Sequence, residues 1–325
     1  MGFVRAFVAV LVVAGALLAP HNDASAQTYP DRPVRLIIAF SPAGAIDILG
    51  RLLAQKLSEA WGQQVVVENR PGAGGNIGAS AAAQAMPDGY TLHFGAQTLA
   101  VNVTLAPSTA FDPVKDFEPI MLVSTAVEVL MVPADSPFKS VKDLVDFAKA
   151  NPGKLNYASV GIGSSAHLVT SLFCDVAGIK MQHVPYSQLS QAGTDVISGR
   201  TEVWFTTLGG SLPYIQSGKL RPLAVSGPVR AKLLPNIPTL TELGIKMGEE
   251  SSWYAFFAPK GTPKPIIEKV NRELERILAT PEMRDRETAL GYRFIGGSPE
   301  KLAEFLKSEI AKWDRLAKSG ALAAK

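Results

Sequence analysis

The chain alternates short apolar runs with longer amphipathic stretches, a pattern that is typical of strands alternating with helices. Between most of the short runs, apolar residues recur at helical spacing, as Leu49, Leu52 and Leu53 do after Asp47. The alternation predicts an α/β fold with largely parallel sheets. The runs that have the composition and length of strands are 34–40, 64–69, 90–96, 155–160, 181–186, 202–207, 220–226 and 253–259.

The apolar run at 117–133 is too long for one strand. We interpret it as a strand that leaves one domain, crosses over and enters a second domain. A matching return near 246–259 would give two crossings, so that one domain is built from both ends of the chain and the other from its middle. The predicted boundaries are 27–125 plus 252–325 for the first domain and 126–251 for the second. About 300 residues also suffice for two domains rather than one.

The C-terminal region predicts a strong helix that closes the first domain. Ser298, Pro299 and Glu300 supply an N-cap, a proline at the first position and an acid in the first turn. Apolar residues then repeat at helical spacing from Leu302 to Trp313. The helix therefore has one long apolar face to bury.

The first residues predict export from the cytoplasm. A basic start at Arg5 is followed by an apolar stretch and by the small-residue sequence ASA at 24–26, which is typical of a signal peptide. We expect residues 1–26 to be removed by cleavage near Ala26, which would leave a periplasmic protein. The only cysteine, Cys174, lies far downstream in a predicted helix, so a lipid anchor on the mature N-terminus has no acceptor thiol.

Charge and hydropathy exclude two classes of partner. The formal net charge is only +3 and no dense basic run occurs, which argues against nucleic-acid binding. After the signal segment, no stretch is long and apolar enough to predict a membrane span. We therefore expect a soluble, exported protein that is a monomer by default.

Two strand-to-helix turns have almost no side-chain cover over their backbone. In VRLIIAFSPAGAID, residues 34–47, four small residues precede a predicted helix; in YASVGIGSSAHLVTSLF, residues 157–173, a glycine and serine loop does the same. A bare helix N-terminus attracts anions, because its N–H groups are unpaired. Taken alone, the first turn is an ordinary βα connection. Two such ends facing each other across a hinge would instead bind an anionic solute between them.

Other candidate chemistry is weaker. The glycines at 72, 74 and 78 do not have nucleotide-fingerprint spacing, so we interpret 65–80 as a loop that shapes the rim of the cleft. No G-x-S-x-G or phosphate-loop motif occurs, and the histidines lack metal-ligand spacing. Ser164 and His167 leave an exported hydrolase as an alternative, although a histidine that fixes the loop is favoured.

A set of ordered motifs makes the chain recognisable. It contains, in this order, VVVENRPGAGGNIGA, PDGYTL, YASVGIGSSAHL, HVPY and WYAFFAPKGTP. Together these resemble the Bug family, the extracytoplasmic receptors of tripartite tricarboxylate transporters, over about residues 30–318. The resemblance implies a type II periplasmic-binding-protein fold, in which two α/β domains joined by a two-crossing hinge close on a solute in the cleft between them. It also implies membrane permease subunits as partners.

The resemblance further implies a carboxylate site at the two loops. One side would be formed by 40–47, the other by 161–165, with polar contacts after the third strand and further contacts where later strands end. No cofactor, no metal and no catalytic residue are expected. The predicted ligand-binding residues are Phe40, Ser41, Ala43, Gly44, Ile46, Asp47, Gln97, Thr98, Gly161, Ile162, Gly163, Ser164, Ser165, His167, Tyr186, Thr206 and Thr207.

Departures from the family pattern bear on the ligand. Ala43 stands where the family usually has a glycine, Ile46 replaces a threonine, and Thr206 stands where an acid is often found. The cleft would lose a hydroxyl donor, gain an apolar contact and lack the partner of an ammonium group. We therefore expect a mono- or dicarboxylate with an apolar or aromatic body rather than citrate or an amino acid. The alternative to transport is an exported sensory module that signals to a membrane kinase.

Overall fold

The computed structural model describes residues 29–42, 44–106, 109–161, 163–247 and 252–318, with the side chain of Leu290 excepted. The predicted signal peptide, Ala43 and Ile162 lie outside these residues. The strands are β1 Val34–Ile38, β2 Val65–Asn69, β3 Thr91–Ala96, β4 Phe117–Ala126, β5 Glu128–Pro133, β6 Asn156–Ser159, β7 Gln182–Pro185, β8 Val203–Thr207, β9 Leu220–Val225, β10 Ser252–Pro259 and β11 Tyr292–Phe294.

Helices follow most of the strands, as the alternating pattern predicts. They are α1 Ala45–Trp61, α2 Asn76–Ala83, α3 Thr98–Leu105, α4 Val141–Ala150, α5 Ser165–Ala177, α6 Leu189–Ile197, α7 Leu208–Gln216, α8 Lys264–Leu278, α9 Pro281–Leu290 and α10 Pro299–Lys318. A single 3₁₀ turn, Ala73–Gly75, immediately precedes α2.

The strands form two sheets. The first has the order β11-β4-β10-β3-β1-β2 and the second the order β7-β6-β8-β5-β9. In the first, β1 is parallel to β2 and β3, but β10 is antiparallel to both β3 and β4. In the second, β6 is parallel to β7 and β8, but β5 is antiparallel to β8 and β9. The expectation of largely parallel sheets is therefore wrong, and both sheets are mixed.

The antiparallel strands follow from the way the chain changes sheets. β4 leaves the first sheet and β5, after the single residue Val127, enters the second, as the long apolar run predicts. The chain returns by β10, which must run opposite to β4 because both reach the same hinge end. Residues 248–251 of this return lie outside the described part of the chain. The exact domain boundaries stay a prediction.

The last helix closes the first domain, as its apolar face predicts. α10 packs against β4 and α3, and Trp313 is buried in the core. The indole Nε1 of Trp253 in β10 donates to Glu309 Oε2 of α10 at 3.0 Å. Among the helices of the described residues, none has both the length and the apolar character needed to cross a bilayer.

Candidate ligand-binding site

The N-terminus of α1 is bare, as the small residues before it predict. Gly44 is the N-cap residue and has an extended backbone, with φ −76° and ψ 166°, so no side chain covers the first amides of the helix. Ser41, Pro42 and Gly44 are exposed to solvent. An anion can therefore approach the first turn of α1 without displacing a capping group.

A charged network holds this loop from behind. The guanidinium Nε of Arg51 donates to Asp47 Oδ2 at 2.9 Å, and Asn69 Nδ2 donates to Asp47 Oδ1 at 2.8 Å. The same amide also donates to the carbonyl oxygen of Phe40 at 3.0 Å. Asp47 is only 2% exposed, so its carboxylate fixes the turn rather than facing the cleft. Arg51 and Asn69 were not among the predicted site residues.

Ile46 is placed differently from the expectation. Its side chain is 5% exposed and belongs to the core of the first domain, together with Leu49, Tyr254 and Tyr292. The apolar contact that Ile46 was expected to offer a ligand is therefore not available at the surface of the cleft in this structure. The apolar body of a ligand would have to contact other residues.

The N-terminus of α5 is held by neutral groups. Ser164 is the N-cap residue: its hydroxyl accepts from the backbone N–H of His167 at 3.4 Å and donates to the carbonyl of Gly161 at 2.7 Å. The backbone N–H of Gly163 donates to His167 Nδ1 at 3.3 Å. Gly161 and Gly163 have φ of 110° and 81°, which L side chains adopt only with strain.

His167 holds the loop before α5 through its ring and its backbone N–H. Because its Nδ1 accepts from Gly163, the ring is neutral, and burial together with the neighbouring His183 lowers its pKa to about 4. The Ser164 hydroxyl meets only the backbone of His167, not its ring. The nucleophile and base of a hydrolase are thus not paired here. Behind the loop, His183 Nε2 lies 2.6 Å from the hydroxyl of Ser159.

Three loops of the first domain meet around Gly75. A Cβ on this residue would lie 3.3 Å from Thr98 Oγ1 and 3.4 Å from the Phe40 ring, so only glycine lets them approach this closely. Gln97 and Thr98 are both buried, and Gln97 Oε1 has no hydrogen-bond partner among the described residues. The structure therefore brings together Phe40, Gln97 and Thr98, with the glycine stretch shaping the junction.

The predicted residues at the ends of the later strands make contacts within the second domain. Tyr186 is buried, and its hydroxyl donates to Asp195 Oδ2 at 3.0 Å. The Thr207 hydroxyl caps α7 by accepting from the N–H of Gly210 at 3.4 Å. Thr206 is also buried, and its hydroxyl lies near Gly210. The Tyr186 hydroxyl is thus bound to α6, and the Thr207 hydroxyl caps the N-terminus of α7.

A buried acid at the hinge was not among the predicted site residues. Glu128 opens β5, is 0% exposed and pairs in register with Thr207. Ser252 of β10 donates its hydroxyl to Glu128 Oε1 at 2.8 Å, so the acid joins the two crossings directly. Among the described residues, Oε2 has no hydrogen-bond partner. Burial raises the pKa of Glu128 to about 7, and the hydroxyls of Ser252 and Ser165 offset part of this rise.

Two tyrosines connect this acid to α1. The rings of Tyr254 and Tyr292 make an edge contact with their centroids 5.9 Å apart, and the hydroxyl of Tyr292 donates to the carbonyl of Ala45 at 2.8 Å. Burial, with a smaller contribution from the charge of Glu128, raises the pKa of both phenols. The groups around Glu128 thus contact both cleft helices. Tyr292 binds the carbonyl of Ala45, the first residue of α1, and the Ser165 hydroxyl of α5 interacts with Glu128 itself.

The described residues contain no cluster of histidine, cysteine, aspartate or glutamate that could hold a metal ion. The chain matches the model of the "Tripartite tricarboxylate transporter family receptor" over residues 49–322. The chain belongs to this receptor family. Its class is that of periplasmic solute-binding receptors, and the resemblance to Bug proteins is confirmed.

Three similar proteins support the assignment. The chain is 34% identical to Protein BugT of Bordetella pertussis over 310 residues, which cover 95% of this chain and 94% of BugT. It is also similar to the solved structure "R. palustris Rpa4515 with adipate", with a TM-score of 0.82 and 34% identity. That match covers 89% of this chain and 97% of the other chain. "MatC (Rpa3494) from Rhodopseudomonas palustris with bound malate" has a TM-score of 0.79 and 28% identity, and the match covers 89% of this chain and 99% of MatC.

Proposed function

We propose that this receptor captures an organic mono- or dicarboxylate between the N-termini of α1 and α5 and delivers it to the permease subunits of a tripartite transporter. The observation that carries the proposal is the pair of helix N-termini, one in each domain: no side chain caps α1 at Gly44, and at α5 the Ser164 hydroxyl caps the amide of His167. Adipate and malate in two similar structures support a carboxylate as the ligand.

The body of the ligand is apolar or aromatic in this proposal. The loops of the site, in their described part, contain no lysine or arginine, so a densely charged solute would bury carboxylates without counter-ions. We further propose that the signal peptide is cleaved near Ala26 and that the mature protein is a monomer without catalytic activity. Its domains would be 27–125 plus 252–325 and 126–251, with closure about the two crossings.

A thermal-shift panel tests the ligand class. The purified protein is mixed with adipate, malate, benzoate, citrate and glutamate. A ligand present at 100 times its dissociation constant adds about 2.7 kcal/mol of stability. We expect stabilisation by adipate or benzoate, recovery of the ligand unchanged by mass spectrometry, and a smaller radius of gyration in X-ray scattering. Stabilisation by citrate or glutamate alone would show that the ligand class is wrong.

Delivery to a transporter is tested in cells. Uptake of the ligand that the panel identifies should require both this receptor and the permease subunits. Unchanged uptake after deletion of the permease genes would contradict the transport role and favour the sensory alternative.

A further inference from the structure

An open groove of about 770 Å³ lies between α2 and α3 of the first domain, and Gly163 of the second domain also lines it. We call the end at Gly163 the inner end of the groove. Ile77 and Ala81 of α2 line one wall, and Leu105 and Ala106 of the α3 end line the other. Because Gly163 also belongs to the loop that precedes α5, the groove starts directly at the proposed carboxylate site. Volumes of this size hold ligands well beyond a six-carbon acid.

Asn102 marks the inner end of the groove. Its Nδ2 donates to the carbonyl of Gly74 at 3.0 Å and to Asn76 Oδ1 at 2.8 Å, which fixes the orientation of the amide. Its Oδ1 lies 4.0 Å from the point that a Cβ on Gly163 would occupy. A ligand that leaves the carboxylate site on this side therefore passes between a neutral amide and a bare glycine.

The groove is uncharged along its described lining. Its walls consist of methyl, methylene, hydroxyl and amide groups, and no lysine, arginine, aspartate or glutamate contributes to them. Ile77 is 55% exposed there, so a ligand in the groove could bury apolar surface of this side chain. A second carboxylate in the groove would find no cation, whereas an alkyl chain or an aromatic ring would bury apolar area on both partners.

We infer that the groove between α2 and α3 is a subsite for the uncharged alkyl or aryl body of a carboxylate whose anionic end binds at the loop containing Gly163. The inference rests on the proposed function, since it needs the carboxylate at that loop. In this inference the groove, rather than Ile46, makes the receptor selective for a ligand with an apolar body. The residues that determine this selectivity are Ile77, Ala81 and Leu105, with Asn102 contacting the ligand where it enters the groove.

The test compares hexanoate with its phenyl-terminated analogue by calorimetric titration. Both carry one carboxylate and the same alkyl segment, and we expect only the phenyl ring of the analogue to reach Ile77 and Leu105 in the groove. In the wild type we expect the analogue to bind at least about tenfold more tightly, since a phenyl group that becomes buried gains apolar contacts. In Ile77→Glu the advantage of the phenyl analogue over hexanoate should fall below about threefold.

Two features of the variant keep the test clear. Glutamate in the first turn of α2 is favourable for the helix dipole, so Ile77→Glu should fold. Met86→Glu is the matched control, because Met86 is also an exposed apolar residue of this region but lies outside the groove. It should keep the full advantage of the phenyl analogue.

The outcomes separate the two proposals. If hexanoate binds and the phenyl analogue binds no better, or if Ile77→Glu keeps the advantage, the groove inference is overturned and the carboxylate receptor stands. If neither acid binds and no carboxylate of the thermal-shift panel does, both are overturned.

Discussion

Each of the two cleft helices has a buried carboxyl behind its first turn, and the two carboxyls are held in opposite ways. Behind α1, Asp47 forms an ion pair with Arg51 and accepts a hydrogen bond from Asn69. Behind α5, Glu128 meets the hydroxyl of Ser252, and among the described residues no lysine, arginine or histidine pairs with it. The first domain thus compensates its buried charge, whereas the second leaves the acid uncompensated.

Because of this difference, we expect the two ends of the cleft to respond differently to pH. At the α1 end, the buried carboxylate of Asp47 has a cationic partner in Arg51. The tyrosines that face Glu128, Tyr254 and Tyr292, stay neutral because burial raises their pKa. Glu128 therefore titrates alone near neutrality, and its ionised form would repel a carboxylate bound at α5.

The largest effect is expected for Glu128→Gln, measured as the free energy of unfolding in urea. The pKa of Glu128 is raised from 4.5 to about 7 in the folded state. Between these values the native protein keeps a proton that the unfolded chain has released, so wild-type stability falls as pH rises and then levels off. Glutamine mimics the neutral acid and avoids this loss. We expect the variant to be about 3 kcal/mol more stable than the wild type at pH 8 and similar to it at pH 4.

Asp47→Asn is the matched variant at the other helix. It removes one partner of an ion pair, so it should destabilise the protein at both pH 5 and pH 8. If Glu128→Gln behaved in the same way, the contrast between the paired and the unpaired carboxyl would be wrong.

The next effect concerns Gly163, whose counterpart Gly44 on α1 has an ordinary extended backbone. Gly163→Val should weaken adipate binding at least tenfold, about 1.4 kcal/mol, because the loop needs φ of 81° and a side chain there would block the approach of the ligand to the backbone. Gly178→Val is the control, since Gly178 also has positive φ but open space around it at the far end of α5. The comparison is measured by calorimetry, after circular dichroism has shown that both variants are folded. Wild-type affinity in Gly163→Val would place the anion elsewhere.

The smallest effect is expected at the first domain. Asn69→Ala removes the amide that holds the Phe40 carbonyl and Asp47, which should cost about 1 kcal/mol of stability and about fivefold in affinity. Gln55→Ala is its control, because the Gln55 amide donates an exposed hydrogen bond to Glu59, which also belongs to α1. An affinity loss larger than that of Gly163→Val would reverse the ranking of the two ends.

The fold was accessible from the sequence where a local pattern decides the outcome. The long apolar run at 117–133 does divide between two sheets. The small residues before α1 do leave its N-terminus without a side-chain cap, whereas Ser164 caps α5. Strand direction was not accessible in this way, because it depends on where the chain re-enters the first sheet. Helix α3 could not be predicted from the sequence either, because TLAVNVTL has little amphipathic periodicity. Its conformation depends on packing against α10.

The site was accessible only in part for a similar reason. Side chains that act by contact across the fold, such as Asn69 on the Phe40 carbonyl and Asn102 beside Gly163, have no local signature. Glu128 did have a signal: it is a lone acid within the apolar sequence TAVEVLMV, where burial is the default. Such an acid is unusual enough in a buried strand to be examined as a functional candidate.

The position of β10 has a consequence for the order in which the molecule can assemble. β10 lies between β3 and β4 at the centre of the first sheet, yet it follows them by more than a hundred residues of chain. Without it, the facing edges of β3 and β4 have no partner, whereas the strands of the second sheet are contiguous in sequence. We therefore expect the second domain to fold first during synthesis. The first domain can complete its sheet only after the last quarter of the polypeptide has been made.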